Sequence, residues 1–135
     1  VEALHSRSGQ AYFGEFTAFW AHGYAARAGV GIIVTPAFLR RFALRADWRV
    51  LVPGRAGELW LNGDMGDLSL FAVYFGTGPD ELDEENATIT ARTSRHSIRR
   101  VLASHIAPGS RRLSLVLGDF NWVADGLGRI QIEGQ

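Results

Sequence analysis

The apolar runs predict one domain of the α/β (α+β) class, with mainly antiparallel strands flanked by helices. Three observations carry that reading. "WRVLV", "ELWLN" and "LSLFAVYF" are short apolar runs separated by the turn-forming stretches "PGRAG" and "GDMGD", the pattern of an antiparallel meander. A segment with early acids and late arginines, "DELDEENATITARTSRHSIRRVLASH", has the charge polarity that a helix dipole favours. "RRLSLVLGDF" then supplies a nearly unbroken apolar run, the mark of a strand buried on both faces. At 135 residues and 47% apolar, the chain suffices for one domain with a core and is short for two.

The first 28 residues are read as a packed segment with a short helix, because Phe13, Phe16 and Trp20 fall at helix-like spacing. "AGVGIIVTP" gives a buried strand over about Val30 to Val34. Thr35 as N-cap and Pro36 at the first helical position then open a short helix through "AFLRRF". In the third strand of the meander Leu68, Leu70, Ala72 and Tyr74 share one face, and Phe71, Val73 and Phe75 the other. Both faces are largely apolar, which places this strand inside a sheet and covers it on both sides. The long helix is expected from about Glu84 to Ala107, with Ile98, Val101, Leu102, His105 and Ile106 turned inward. The following strand ends at Asp119, and a glycine-broken tail, "ADGLGRIQIEGQ", comes after it.

Composition narrows the chemistry. The absence of cysteine excludes disulfides, thiolate zinc sites and cysteine nucleophiles, so any metal is held by oxygen or imidazole. Fourteen basic and fourteen acidic residues balance, which gives no overall basic signature for nucleic acid. All the basic residues are arginine, a usage that fits a compositional bias of the source genome. No stretch approaches the roughly 18 to 20 apolar residues of a membrane span, and "VEALHSRSGQ" lacks the order of a secretion signal. The expectation is a soluble, intracellular chain.

The end of the last strand is the candidate for chemistry. Asp119 and Asn121 stand two positions apart where an acceptor and an amide can face one phosphate or one water. Hydrolysing a phosphodiester needs a positioned water, a base or orienting carboxylate, and positive charge against the charge developing on phosphorus. Mg²⁺ held by carboxylates supplies that charge. The same two residues also suit a simple turn after a strand. Asp64 and Asp67 in "NGDMGD" lack the spacing of a calcium loop, and a hairpin turn accounts for them.

"LVLGDFNWV" resembles the Gly-Asp-Phe-Asn signature of the endonuclease/exonuclease/phosphatase family, the fold of exonuclease III-like nucleases and of the endonuclease domains of non-LTR retrotransposons. "RAGVGIIV" resembles the family's glycine-led strand, and "LSLFAVYF" the strand that ends in its active-site tyrosine. The acidic-then-arginine helix falls between that tyrosine and the signature, in family order, and the likeness runs from about Arg27 to Arg129. The resemblance implies a partial four-layer α/β sandwich of two mainly antiparallel sheets with outer helices. It also implies Mg²⁺- or Mn²⁺-dependent hydrolysis of a phosphodiester, DNA first. Asp119 would orient or deprotonate the water and hold the metal, Asn121 would contact the scissile phosphate or the metal, and Tyr74 would hydrogen-bond the phosphate.

Two departures bear on activity. Matching His5 to the family's Gln-Glu-x-His motif puts Glu2 on the glutamine and Ala3 on the metal-binding glutamate, whereas a slip of one residue gives Glu2 the metal role. The family's C-terminal Ser-Asp-His motif has no counterpart, since residues 122–135 hold no histidine and His5, His22, His96 and His105 all precede the signature. The expectation is therefore a single partial domain over residues 1–135, truncated and inactive unless the site assembles without these groups. Two alternatives stand beside it. One is a non-catalytic remnant that binds nucleic acid or a protein partner, through an exposed edge or through Arg92, Arg95, Arg99 and Arg100. The other is a phosphatase or phospholipase of the same family, since loops and not fold set the substrate.

Overall fold

The computed structural model describes residues 9–23, 29–42, 45–76, 81–82, 88–89, 91–106, 109 and 111–121. Strands β1 (Gly9–Phe13), β2 (Phe16–His22) and β3 (Gly29–Val34) form sheet 1, an antiparallel meander in that order. The segment expected to hold a short helix is thus a hairpin. Gly14 takes a φ of 56°, which reverses the chain and brings Phe13 opposite Phe16. Along β2 the alternation of period two then governs: Phe19 and Ala21 turn into the core while Trp20 turns away. The spacing of Phe13, Phe16 and Trp20 was compatible with a helix, but a glycine at a positive φ between them decides for the turn.

Helix α1 (Pro36–Phe42) starts as the sequence predicts, with the Thr35 Oγ1 accepting a hydrogen bond from the Phe38 amide at 3.1 Å. Strands β4 (Arg45–Val52), β5 (Ala56–Gly63) and β6 (Gly66–Tyr74) follow as the expected antiparallel meander. After a two-residue ladder of β7 (Glu81–Leu82) with β8 (Thr88–Ile89), helix α2 (Ala91–His105) leads to β9 (Arg112–Asp119). Strand β9 lies parallel to β6 and completes sheet 2 in the order β4-β5-β6-β9. Among the described residues no helix is long and apolar enough to cross a membrane.

The molecule is a sandwich of the two sheets with α2 on the outer face of sheet 2. Phe19 and Val34 of sheet 1 meet Leu59, Leu61 and Leu70 of sheet 2, and Phe38 and Leu39 of α1 close this cluster. The Trp48 indole N–H donates to the Trp20 carbonyl at 3.0 Å, so a polar bond as well as apolar contact joins the sheets. On the other face Ile98 and Leu102 of α2 bury Ala56, Phe71, Val73 and Phe75. Strand β6 is accordingly covered on both sides, as its two apolar faces require. The α2 stripe reaches a polar anchor at its end. His105 Nδ1 faces Glu58 Oε2 at 3.2 Å, and the fully buried Glu58 carboxylate also accepts from Ser69 Oγ at 2.7 Å.

Two expectations give way. The long helix begins at Ala91, not at about Glu84, because the backbone at Thr88–Ile89 is extended and paired; Glu84 itself lies outside the described residues. Strand β9 is also not buried on both faces. Val116 packs toward α2, but Leu113, Leu115 and Leu117 are 62%, 43% and 52% exposed. They share the face that sheet 1 covers on β4, β5 and β6, and β9 is the edge strand of its sheet among the described residues. An edge of alternating leucines without lysine or proline is a template for pairing with another strand. The chain is expected to self-associate as its concentration rises, and Leu115→Lys to shift it toward monomer without loss of stability, as sedimentation velocity and thermal melts would show.

Candidate functional site

The site predicted from sequence sits where three strands of sheet 2 end together. Because β6 and β9 run parallel, their C-terminal residues are neighbours: Tyr74 pairs in register with Asp119, on the face turned toward sheet 1. The Phe75 amide donates to the Asp119 carbonyl at 2.9 Å and carries the ladder one residue further. On the other side of β6 the Tyr74 amide donates to the Arg55 carbonyl at 2.9 Å. Arg55, Tyr74 and Asp119 therefore lie side by side at one end of the sheet.

Glycine at 118 makes this alignment possible. Gly118 has a φ of 149°, and a Cβ there would drive into the carbonyl oxygen of Val73 on the adjoining strand. The glycine of "GDFN" is thus explained by the close approach of two backbones immediately before the aspartate.

Past β9 the chain folds back in a compact turn. Asp119 Oδ1 accepts from the Asn121 amide at 3.0 Å, an Asx turn, and Asn121 takes a φ of 42°. Asparagine tolerates this left-handed conformation better than other side-chain-bearing residues. Asn121 Nδ2 donates to the Phe75 carbonyl at 2.8 Å, which locks the amide orientation, since the reverse assignment would set two carbonyl oxygens against each other. Asn121 Oδ1 and Asp119 Oδ2 are the oxygens that these bonds leave for other partners. Between the two residues, Phe120 packs edge-on against Phe75 at 5.6 Å between centroids.

Arginines approach the same end from two elements. Arg55 is 7% exposed, and its guanidinium stands 4.6 Å from the Tyr74 ring centroid. Burial lowers the Arg55 pKa from its ordinary value, while charge and hydrogen bonding with Tyr74 act in the opposite direction. From α2, Arg95 Nη1 donates to the Gly76 carbonyl at 3.3 Å, and Arg99 lies 5.6 Å from the Phe75 ring centroid. The arginines Arg92, Arg95, Arg99 and Arg100 do not form one uniform solvated face. Arg92, Arg99 and Arg100 are exposed and Arg95 is half-buried, and of the four Arg95 and Arg99 contact the strand end.

The sequence reading missed Arg55, because "PGRAG" reads first as a turn. The available signal was its position next to the strand pair that ends in Tyr74. Glu2 and His5 lie outside the described residues. His96 is exposed and His105 is tied to Glu58, so neither reaches the strand end. Asp64 lies in the β5–β6 turn, and Asp67 accepts from Trp60 Nε1 at 3.0 Å and Asn62 Nδ2 at 2.7 Å, both structural roles. A groove of about 510 Å³ lined by Arg41, Phe42, Met65, Asp67, Arg111 and Leu113 opens at the opposite end of sheet 2 and contains none of the predicted site residues.

For metal, the donors on hand are hard oxygens. Asp119 and Asn121 offer one carboxylate and one amide oxygen from a single turn, a set that suits Mg²⁺, which keeps several waters and binds through one or two carboxylates plus phosphate. Among the described residues no group of three histidine, aspartate or glutamate side chains gathers, at the strand end or anywhere else. Compared with protein-family models, curated proteins and solved structures, the chain matches none.

Gly118→Ala is expected to destabilise the fold by about 2 to 3 kcal/mol, from a strained φ and the clash with Val73. Urea unfolding with tryptophan fluorescence measures this, and a value within about 0.5 kcal/mol of wild type, the range of an indifferent surface change, would show that the backbones do not meet there.

Proposed function

We propose that the chain is a divalent-metal-dependent phosphodiester hydrolase of the endonuclease/exonuclease/phosphatase type, with DNA as the leading substrate. One observation supports this above the others: the β6–β9 register sets Tyr74 beside Asp119, and Asn121 is fastened to Phe75 in the same turn. A phenol, a carboxylate and an amide from distant parts of the sequence meet at one strand end. That is the combination the Gly-Asp-Phe-Asn resemblance implies.

In this reading the Asp119 carboxylate orients the attacking water through Oδ2 and takes its proton, while Oδ1 stays engaged with the Asn121 amide. The Tyr74 hydroxyl donates to a non-bridging phosphate oxygen, where negative charge grows as water adds to phosphorus and the P–O bond to the leaving group breaks. Asn121 Oδ1 fixes the water or the metal, its nitrogen being held by Phe75. Asp119 would hold the Mg²⁺ or Mn²⁺, which when bound supplies positive charge against the phosphate. Arg95 and Arg99 add positive potential on the α2 side of the strand end.

Incubating supercoiled plasmid with the purified chain and Mg²⁺ or Mn²⁺ tests the reading. Nicking is expected to require metal, to stop with chelator, and to fall at least about 100-fold in Asp119→Ala, the usual scale for a lost general base. Nicking that survives both chelator and the substitution would overturn it. Absence of nicking by the folded wild-type chain would favour the binding remnant, and salt-dependent DNA retention would then identify its phosphate-contacting face.

A further inference from the structure

Arg55 occupies a position that packing alone does not explain. It follows the turn that joins β4 to β5, where Gly54 has a φ of 66° and the Arg55 amide donates to the Val52 carbonyl at 3.0 Å. Its carbonyl then receives the Tyr74 amide, so the backbone of Arg55 is pinned from both directions. Residue 55 is buried, and a guanidinium held there carries a desolvation cost that an apolar side chain would avoid. The guanidinium stands over the Tyr74 ring, 4.6 Å from its centroid.

On the far side of Tyr74 lies Asp119, its register neighbour, and the turn that carries Asn121. A guanidinium stacked behind the ring adds positive charge next to a phenol at the strand end, which favours an anionic partner there.

We infer that Arg55 is a positioning residue for Tyr74: its guanidinium holds the phenol ring from the buried side and places a positive charge behind it, at the strand end where a phosphate group would bind. The inference rests on the phosphodiester reading for its ligand, and it extends that reading to a residue outside the family motif. Arg55 acts through Tyr74. Lysine at this position keeps a charge but loses the planar guanidinium that stacks on the ring.

The test combines a double-mutant cycle with a spectroscopic readout. Arg55→Lys, Tyr74→Phe and the double variant are compared for plasmid nicking and, with ¹³C-labelled tyrosine, for the ζ-carbon resonance of Tyr74, with Tyr12 and Tyr24 as internal references. Arg55→Lys is expected to lower kcat about tenfold with little change in KM, below the loss of a whole transition-state donor. The same substitution should add nothing once Tyr74 is phenylalanine. The Tyr74 resonance is expected to shift in folded Arg55→Lys and to lose its response to added inorganic phosphate. Multiplicative kcat losses in the double variant, or an unmoved Tyr74 resonance in a folded Arg55→Lys, would overturn the inference.

The two readings fail separately. A wild-type chain that nicks no DNA defeats the nuclease assignment, while the resonance and its phosphate response still decide whether Arg55 sets Tyr74. Should Arg55→Lys not fold, Tyr74→Phe leaves the packing in place and probes the pair from the other side. The Arg55 Nε–H resonance is then expected to move, and an unchanged resonance overturns the inference.

Discussion

Strands β6 and β9 stay paired to the end that carries Tyr74 and Asp119 because residue 118 has no side chain. The close approach of Gly118 to the Val73 carbonyl lets the ladder continue to Tyr74 and Asp119, and through the Phe75 amide one residue beyond. A parallel pair needs a crossover, and α2 provides it, packing Ile98 and Leu102 on Phe71 and Val73 as it returns the chain. The crossover also brings Arg95 and Arg99 to the strand end, so one topological requirement delivers both the acidic and the basic parts of the candidate site.

Two buried charged side chains mark the same sheet, and they differ in what they hold. Glu58 lies beneath the C-terminal end of α2, bonded to Ser69 and facing His105, with Arg112 Nη1 at 3.8 Å, so its carboxylate fastens helix to sheet. Arg55, immediately before β5, stands over the Tyr74 ring at the rim. Glu58 is engaged by groups that secure the fold, whereas Arg55 packs on a residue at the end of the strands.

Much of the fold is legible in local pattern. The turns between Trp48 and Phe75, the Thr35 cap and the two-faced apolar alternation of β6 are set by neighbouring residues, and each appears as read. The N-terminal hairpin was not legible, because aromatic spacing fitted a helix and only the φ at Gly14 breaks the tie. The start of α2 was misplaced because charge polarity suits the whole acidic stretch, while pairing at Thr88–Ile89 keeps that backbone extended. The exposure of Leu113, Leu115 and Leu117 depends on how far sheet 1 extends, which no local pattern records. In the site, Tyr74, Asp119 and Asn121 were visible as strand ends and a motif. Arg55 was not, because its role comes from a register between β5 and β6 and not from its own neighbours in sequence.

As proposed, the strand ends of β6 and β9 form one hard-oxygen site beside a phenol and a buried guanidinium. Paramagnetic Mn²⁺ added at substoichiometric levels to the ¹⁵N-labelled chain tests this most directly, since it broadens resonances according to their distance from the ion. Selective loss of the Tyr74, Phe75, Asp119 and Asn121 amide signals, restored by chelator, is the predicted result. Broadening centred on the Asp64–Asp67 turn, with the strand-end signals intact, would contradict it.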